Sequence, residues 1–389
     1  MSTTKPNIAA RMDGIAPFHV MAILAQAQAL EAAGRDIIHL EIGEPDFATP
    51  EPIVEAGIAA LRAGHTHYTG ALGLTALREA IAGFYATRWQ ATVDPARIVV
   101  TPGASGALLL ALGLLAGPGD EVLMADPGYP CNRHFAGFCD ARAVSIPVDS
   151  DSGFQLTLEA IERNATPATR AVLIASPSNP TGTGISADEL ARIHDWCHAQ
   201  GVALIVDEIY LALTYDGDEH TAARWDDVFV VNSFSKYFLM TGWRLGWLAA
   251  PAWAMPALER LAQNLFLAAS TPAQHAALAA FSPATLDQLE TRKAELRARR
   301  DFLLPALRER GFAIPVTPQG AFYLYADCSR FTQDSHAFAG QLLDQAGVAV
   351  TPGIDFGHFH AARHVRFAYT QPLPRLAEAL TRLDRFLQA

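Results

Sequence analysis

Short apolar runs and longer amphipathic stretches alternate along the first two thirds of this chain. The runs are Ile98–Thr101, Glu121–Ala125, Ala171–Ala175, Ala203–Asp207, Val228–Ser233 and Leu245–Ala250. Each is largely apolar and too short for a buried helix, so each predicts a strand. Helical periodicity separates several of them, over Ser105–Leu115 and Ser186–Gln200. Ser186, with Glu189 three residues on, reads as a capping box. Strands apolar throughout and interleaved with helices predict a mostly parallel sheet covered on both faces.

The rhythm changes near residue 280. Pro283–Arg310 predicts a long helix whose Arg292–Asp301 charge run reads as a solvated face. Strand patterns at Ala321–Ala326, Val348–Thr351 and Val365–Tyr369, a helix near Ser335–Ala346 and a closing helix over Pro374–Leu387 follow. This predicts a second, smaller α/β unit. No internal repeat or low-complexity linker interrupts the pattern.

Composition narrows the classes. Half of the 389 residues are hydrophobic and the net charge is -11, with no basic block, which speaks against disorder and against a nucleic-acid partner. Cys131, Cys139, Cys197 and Cys328 are scattered without metal-ligand spacing and fit a reducing compartment. Neither an apolar signal core in Met1–Pro6 nor a run long enough to span a membrane is present, so a soluble cytoplasmic protein is expected. His65 and His67, and His358, His360 and His364, lack carboxylate or cysteine partners at motif spacing and read as surface or loop histidines, so no metal is expected.

Only Lys5, Lys236 and Lys293 are lysines among 29 basic residues. A chain that otherwise prefers arginine keeps an amine in the apolar stretch Ser233–Arg244. Lysine can lose its proton and condense with a carbonyl, whereas arginine cannot. Lys236 is thus the leading candidate for covalent catalysis.

Other candidates follow strand ends, where open α/β sheets bind ligands. Thr101–Ala107 offers Gly103, Ala104 and Ser105 at a helix start suited to phosphate, although such a turn is also an ordinary connection. Asp126–Pro130 supplies Tyr129, and the turn Ser176–Gly182 supplies Asn179. Asp207-Glu208-Ile209-Tyr210 closes an apolar strand with an acid that could equally be a cap. Together these are the groups pyridoxal phosphate requires: an amine, an acid for its ring nitrogen, donors for its phenolate, and hydroxyls with an arginine for its phosphate.

With Leu40–Phe47, His67–Gly70, Ser178–Gly182, Ser233–Gly246, Thr351–Gly353 and Val365–Phe367 in order, the chain resembles the class I/II pyridoxal-phosphate-dependent aminotransferases of fold type I, the aspartate aminotransferase superfamily. The resemblance implies a seven-stranded large domain over 48–281. A smaller domain is implied over 282–389, joined by the N-terminal segment 1–47. It also implies that Lys236 carries pyridoxal 5'-phosphate as a Schiff base and shuttles the proton. Asp207 would pair with the ring nitrogen, Tyr210 and Asn179 with the phenolate oxygen, and Tyr129 with the ring face. Gly103, Ala104, Ser105, Ser233, Ser235 and Arg244 would hold the phosphate. Tyr68 would reach the neighbouring subunit of a homodimer. Arg366 would grip the substrate α-carboxylate with the Gly43 backbone assisting, and Ile15 and Phe18 would form an apolar lid.

Amino-group transfer between an L-amino acid and a 2-oxo acid is the expected reaction, by ping-pong kinetics. A carbon–sulfur β-lyase on the same fold is the alternative, since both start by removing the α-proton. A transcription regulator is not expected, because the segment before Gly43 is short and not strongly basic. Phe367 departs from the small polar residue usual after the arginine. No arginine is identifiable as the reader of a second substrate carboxylate.

Overall fold

In the computed structural model, residues 7–217 and 219–388 are described. Lys5 and the Met1–Pro6 stretch lie outside them. In chain order the strands are β1 (Ile38–His39), β2 (Ile98–Thr101), β3 (Glu121–Asp126), β4 (Arg142–Pro147), β5 (Thr169–Ala175) and β6 (Ala203–Asp207). They continue with β7 (Phe229–Ser233), β8 (Gly246–Ala249), β9 (Tyr323–Asp327), β10 (Val348–Ala349), β11 (Thr351–Pro352) and β12 (His364–Ala368). Seven of them form one sheet in the order β2-β8-β7-β6-β5-β3-β4. All neighbours from β4 through β7 are parallel, while β8 runs antiparallel to β7 and β2. The strands β2, β7 and β8 are buried at every position, which is why they read as unbroken apolar runs.

The six strand expectations before residue 280 each match one of these strands, and the two helices form over Gly103–Leu115 and Ala187–Gln200. The sequence pattern did not show β4. It is one of the two edge strands, and only Ile146 of it is buried, so it lacks an apolar run. The capping box is half formed. Ser186 Oγ accepts the Glu189 N–H at 3.2 Å, but the Glu189 carboxylate turns to the Leu158 N–H at 2.6 Å and to Arg192.

Beyond residue 280, β9, β11 and β12 form an antiparallel sheet in the order β11-β12-β9. The single strand read at Val348–Thr351 is two. β10 pairs with β1, and β11 pairs with β12. The helix expected near Ser335–Ala346 is α-helical over Ser335–Gln341 and loosens into a π-turn over Leu342–Ala346 before Gly347, whose φ of 65° ends it.

The charge run on the long helix Pro283–Glu309 corrects one reading. Arg299 and Arg300 are not solvated; they are 1% and 3% exposed. Arg299 pairs with Asp46 and Glu295 at 2.7 Å, and Arg300 reaches Asp216 at 2.6 Å and the Pro318 carbonyl at 2.7 Å. Fixed carboxylates and carbonyls replace the lost water, as burial of charge requires. His364 is also buried rather than superficial. It stacks on Tyr325 at 4.6 Å and contacts the His360 carbonyl.

Among the described residues no helix is long and apolar enough to cross a membrane. No cluster of three or more His, Cys, Asp or Glu there is arranged to hold a metal ion.

Candidate active site

Parallel pairing brings the C-terminal ends of β3, β5, β6 and β7 to one edge of the large sheet, and β2, antiparallel to the intervening β8, ends at the same edge. Antiparallel β8 begins there too, since Gly246 is opposite both Thr101 and Ser233. The loops at this edge therefore deliver residues far apart in sequence to one cleft of about 240 Å³. Ala104 and Ser105 arrive after β2, Tyr129 after β3, and Asn179 after β5. Asp207 and Tyr210 come from β6, Ser233, Ser235 and Lys236 from β7, and Arg244 from the approach to β8. From outside the sheet come Phe18, Gly43 and Arg366.

Gly103 and Gly246 make the approach at the β2 end possible. Gly103 has φ 72°, and a Cβ there would sit 2.6 Å from Arg244 Nη2. A Cβ on Gly246 would meet Gly103 C at 2.7 Å and Ala104 N at 2.8 Å. Only glycine leaves room for the guanidinium against the start of the helix. Ser233 Oγ is 2.9 Å from Ser235 Oγ and accepts the Ser235 N–H at 3.0 Å. Hydroxyls, a helix start and an arginine thus converge as a cradle for an anion.

Lys236 Nζ donates to the Gly43 carbonyl at 2.7 Å. Burial disfavours its charged form, and Arg366 and Arg244 repel it, so its pKa falls to about 8 despite attraction from Glu44. Asp207, 5% exposed, accepts the Ile209 N–H at 3.1 Å, and burial pushes its pKa up to about 6. No ion pair serves Asp207 among the described residues, so it is a carboxylate that would gain from a cationic partner. The adjacent Glu208 faces elsewhere. It accepts from Thr221 Oγ1 at 2.7 Å and the Ala222 N–H at 2.6 Å, anchoring the following loop.

Arg366 comes from β12, opposite Thr351 and Tyr325. Its Nη1 donates to Asn179 Oδ1 at 2.8 Å, and its Nη2 donates to the Glu41 carbonyl and to Thr351 Oγ1. All of these partners are neutral, and Nε is buried without one. The guanidinium forms no ion pair among the described residues, so it is a buried cation that needs an anion. Because a guanidinium only donates, Asn179 must present Oδ1 to it and keeps its NH₂ for another acceptor.

Sequence reasoning missed Tyr323. Its hydroxyl is 2.7 Å from that of Tyr210, and its ring lies 4.2 Å from the Arg366 guanidinium carbon. It read as one more apolar position of a strand, and only the contact with Tyr210 marks it. Gly43 depends on it, because a Cβ there would overlap the Tyr323 hydroxyl outright. Val20 and Met21 also line the cleft and carried no motif, and Ile42 and Pro177 line it from within the Leu40–Phe47 and Ser176–Gly182 stretches. Phe367 alternates away from Arg366 and packs on Phe312 at 5.4 Å, so the departure at that position is absorbed by the core.

Ile15 and Tyr68 do not line this cleft. Tyr68 is 83% exposed in a separate hollow with Thr271 and a stacked pair, His65 and His275, 4.2 Å apart. Leu265 and Leu267 nearby in sequence to Thr271 are also exposed.

The donor set suits a flat, anionic heterocycle with an aldehyde. It offers an amine of lowered pKa, an unpaired acid, a glycine-lined anion cradle, and a spare cation for a carboxylate.

Residues 35–383 match the family described as aminotransferase class I and II. The chain is 40% identical over 377 residues to a valine–pyruvate aminotransferase of Mycobacterium tuberculosis, covering 96% of this chain and 97% of that protein. It is 37% identical over 354 residues to an arginine–pyruvate transaminase of Pseudomonas aeruginosa, covering 90% of each. The crystal structure of an aminotransferase from Mycobacterium tuberculosis superposes with a TM-score of 0.95 at 40% identity, over 99% of this chain and 100% of that one.

Proposed function

The chain belongs to the class I and II aminotransferases and is a pyridoxal-phosphate-dependent transaminase, and from that premise we propose which of its residues do the work. Pyridoxal 5'-phosphate, when bound, supplies an aldehyde that exchanges amines and a protonated ring that takes up the electron pair of a breaking Cα–H bond. Ala104, Ser105, Ser233, Ser235 and Arg244 would hold its phosphate, with Gly103 leaving the space. Asp207 would face the ring nitrogen, Asn179 and Tyr210 the phenolate oxygen, and Tyr129 the ring.

Lys236 is the acting base. With its pKa near 8 rather than 10.5, half of the amine is neutral at pH 8 instead of roughly one part in 300. Its Nζ takes the proton from substrate Cα and later returns it. Asp207 would stay ionised opposite a protonated ring nitrogen, because a positive partner would offset the burial that otherwise lifts its pKa to about 6. Arg366 binds the α-carboxylate of amino acid and 2-oxo acid alike, since both present the same group. The buried guanidinium without a counter-anion, in the same cleft as the Lys236 amine, carries this reading. Phe18, Val20 and Met21 give the cleft an apolar wall.

The two half-reactions share one site, so ping-pong kinetics follow. The two relatives described above are named for pyruvate, and we take pyruvate as the acceptor here. The exposure of Tyr68, Leu265 and Leu267 supports a homodimer in which Tyr68 serves the neighbouring site. The β1–β10 pairing supports a division in which residues 1–47 join 282–389 as a smaller domain against 48–281. A cytoplasmic location fits the four free cysteines.

The test is a panel of amino donors mixed with holoenzyme without any oxo acid. The cofactor absorbance should convert once and stop, and turnover should resume when pyruvate is added. Continuous release of pyruvate and ammonia from cystathionine with no acceptor would instead make the protein a β-lyase.

A further inference from the structure

The helix His19–Ala32 begins without a cap of its own. Phe18 occupies the N-cap position and offers no side-chain acceptor. Its first amides are satisfied from the far end of the chain. Asp355 Oδ1 accepts the His19 N–H at 2.7 Å, and Oδ2 accepts the Val20 N–H at 2.8 Å. A carboxylate spanning two first-turn amides is a favourable cap for both hydrogen bonding and the helix dipole.

Asp355 is itself held on three sides. It is 2% exposed. Arg133 Nη2 donates to its carbonyl at 2.8 Å. The next residue, Phe356, lies against the Arg366 guanidinium at 4.9 Å, and its carbonyl accepts the Gly128 N–H at 2.8 Å. Asp126, at the end of β3, accepts the His358 N–H at 3.0 Å and the Phe359 N–H at 3.3 Å. The turn carrying Asp355 is therefore rigid and registered to both the Tyr129 loop and Arg366.

What Asp355 holds is the wall of the cleft, since Phe18, Val20 and Met21 line it at the start of the capped helix. We propose that Asp355 is a positioning residue whose cap locks the Phe18–Met21 segment over the cleft and thereby selects amino donors with apolar side chains. The donor part rests on the transaminase reading above. The latch itself does not. The wall presents a phenyl, an isopropyl and a thioether and no charge, so a longer apolar donor gains contact that alanine cannot.

Asp355→Ala and Asp355→Asn are compared with wild type in two assays. In the first, trypsin cuts cofactor-free protein after Arg11. Arg11 is docked through the Phe138 carbonyl at 3.2 Å, and its cut is read as the mass of a chain starting at Met12. Asp355→Ala should speed that cut about fivefold, the shift expected from losing a helix cap, with Asp355→Asn intermediate because it keeps one acceptor. In the second, KM of the holoenzyme for norleucine should rise about fivefold in Asp355→Ala while KM for alanine changes less than twofold. Phe18→Ala, which removes the wall but keeps the cap, should reproduce the KM pattern without the faster cut. An unchanged cut rate overturns the latch whatever the activity. Equal KM changes for both donors overturn the selection. Absence of transamination in wild type overturns the functional reading and leaves the proteolysis result standing.

Discussion

Replacing Gly43 by alanine should damage the site through Tyr323, and removing the Tyr323 hydroxyl should repair most of that damage. The new Cβ would overlap the hydroxyl oxygen, with Cζ at 3.2 Å and Cε1 at 3.4 Å behind it. Tyr323 is 1% exposed, bonded to Tyr210 at 2.7 Å and wedged edge-on against Phe322 at 4.8 Å, so it has nowhere to retreat. Overpacking of this kind costs about 1–3 kcal/mol. Pushing the hydroxyl off Tyr210 adds about 1 kcal/mol. Gly43→Ala should therefore cost about 2–4 kcal/mol and Tyr323→Phe about 1. In the double variant the nearest atoms are the ring carbons at 3.2 and 3.4 Å, a gap closed by small shifts. Its cost should be about 1–2 kcal/mol rather than the 3–5 of independent changes, a coupling of about 2 against the 0.3–0.5 expected for unlinked sites. Urea unfolding of the four cofactor-free proteins measures the cycle. Additive losses, or a Gly43→Ala protein as stable as wild type, would refute the packing argument.

Further outcomes follow from the same geometry. Arg366→Lys keeps the charge but loses the fork to Asn179, Thr351 and the Glu41 carbonyl. KM for donor and acceptor should both rise about 10- to 100-fold in steady-state kinetics with a smaller change in kcat. An effect on one substrate only would contradict a shared carboxylate site. Asp207 has a folded pKa of about 6 against 3.8, so the folded cofactor-free protein binds the extra proton between those values. Its contribution is fully present below pH 3.8 and is lost as pH rises through 6. The stability of wild type relative to Asp207→Asn should accordingly fall by on the order of 2–3 kcal/mol from pH 4 to pH 7, as read by denaturant midpoints. No pH dependence in that difference would mean the acid is not desolvated. The Lys236 amine of cofactor-free protein should react with added pyridoxal phosphate at a rate that climbs with pH and levels off above about 8. A rate still climbing at pH 10 would show an ordinary lysine.

The large sheet was legible because its strands are buried on both faces and write themselves as apolar runs. The edge strand Arg142–Pro147 was not, since one buried residue leaves no pattern. The loops were legible as a set. Asn179 or Asp207 alone is a turn residue or a cap, but strand-end placement predicts that they meet. Residues that act through a partner were invisible. Tyr323 matters through its contact with Tyr210, and Asp355 through amides more than 330 positions away. Arg299 and Arg300 read as surface charge because the carboxylates that bury them, Asp46 and Asp216, are distant in sequence.

The central claim is that the amine of Lys236 carries the cofactor. With only three lysines in the chain, borohydride reduction of the holoenzyme followed by peptide mass mapping answers it directly. Reduction should fix one phosphopyridoxyl group per chain, on the peptide containing Lys236. A group found on Lys5 or Lys293, or none fixed in a protein that still transaminates, would contradict it.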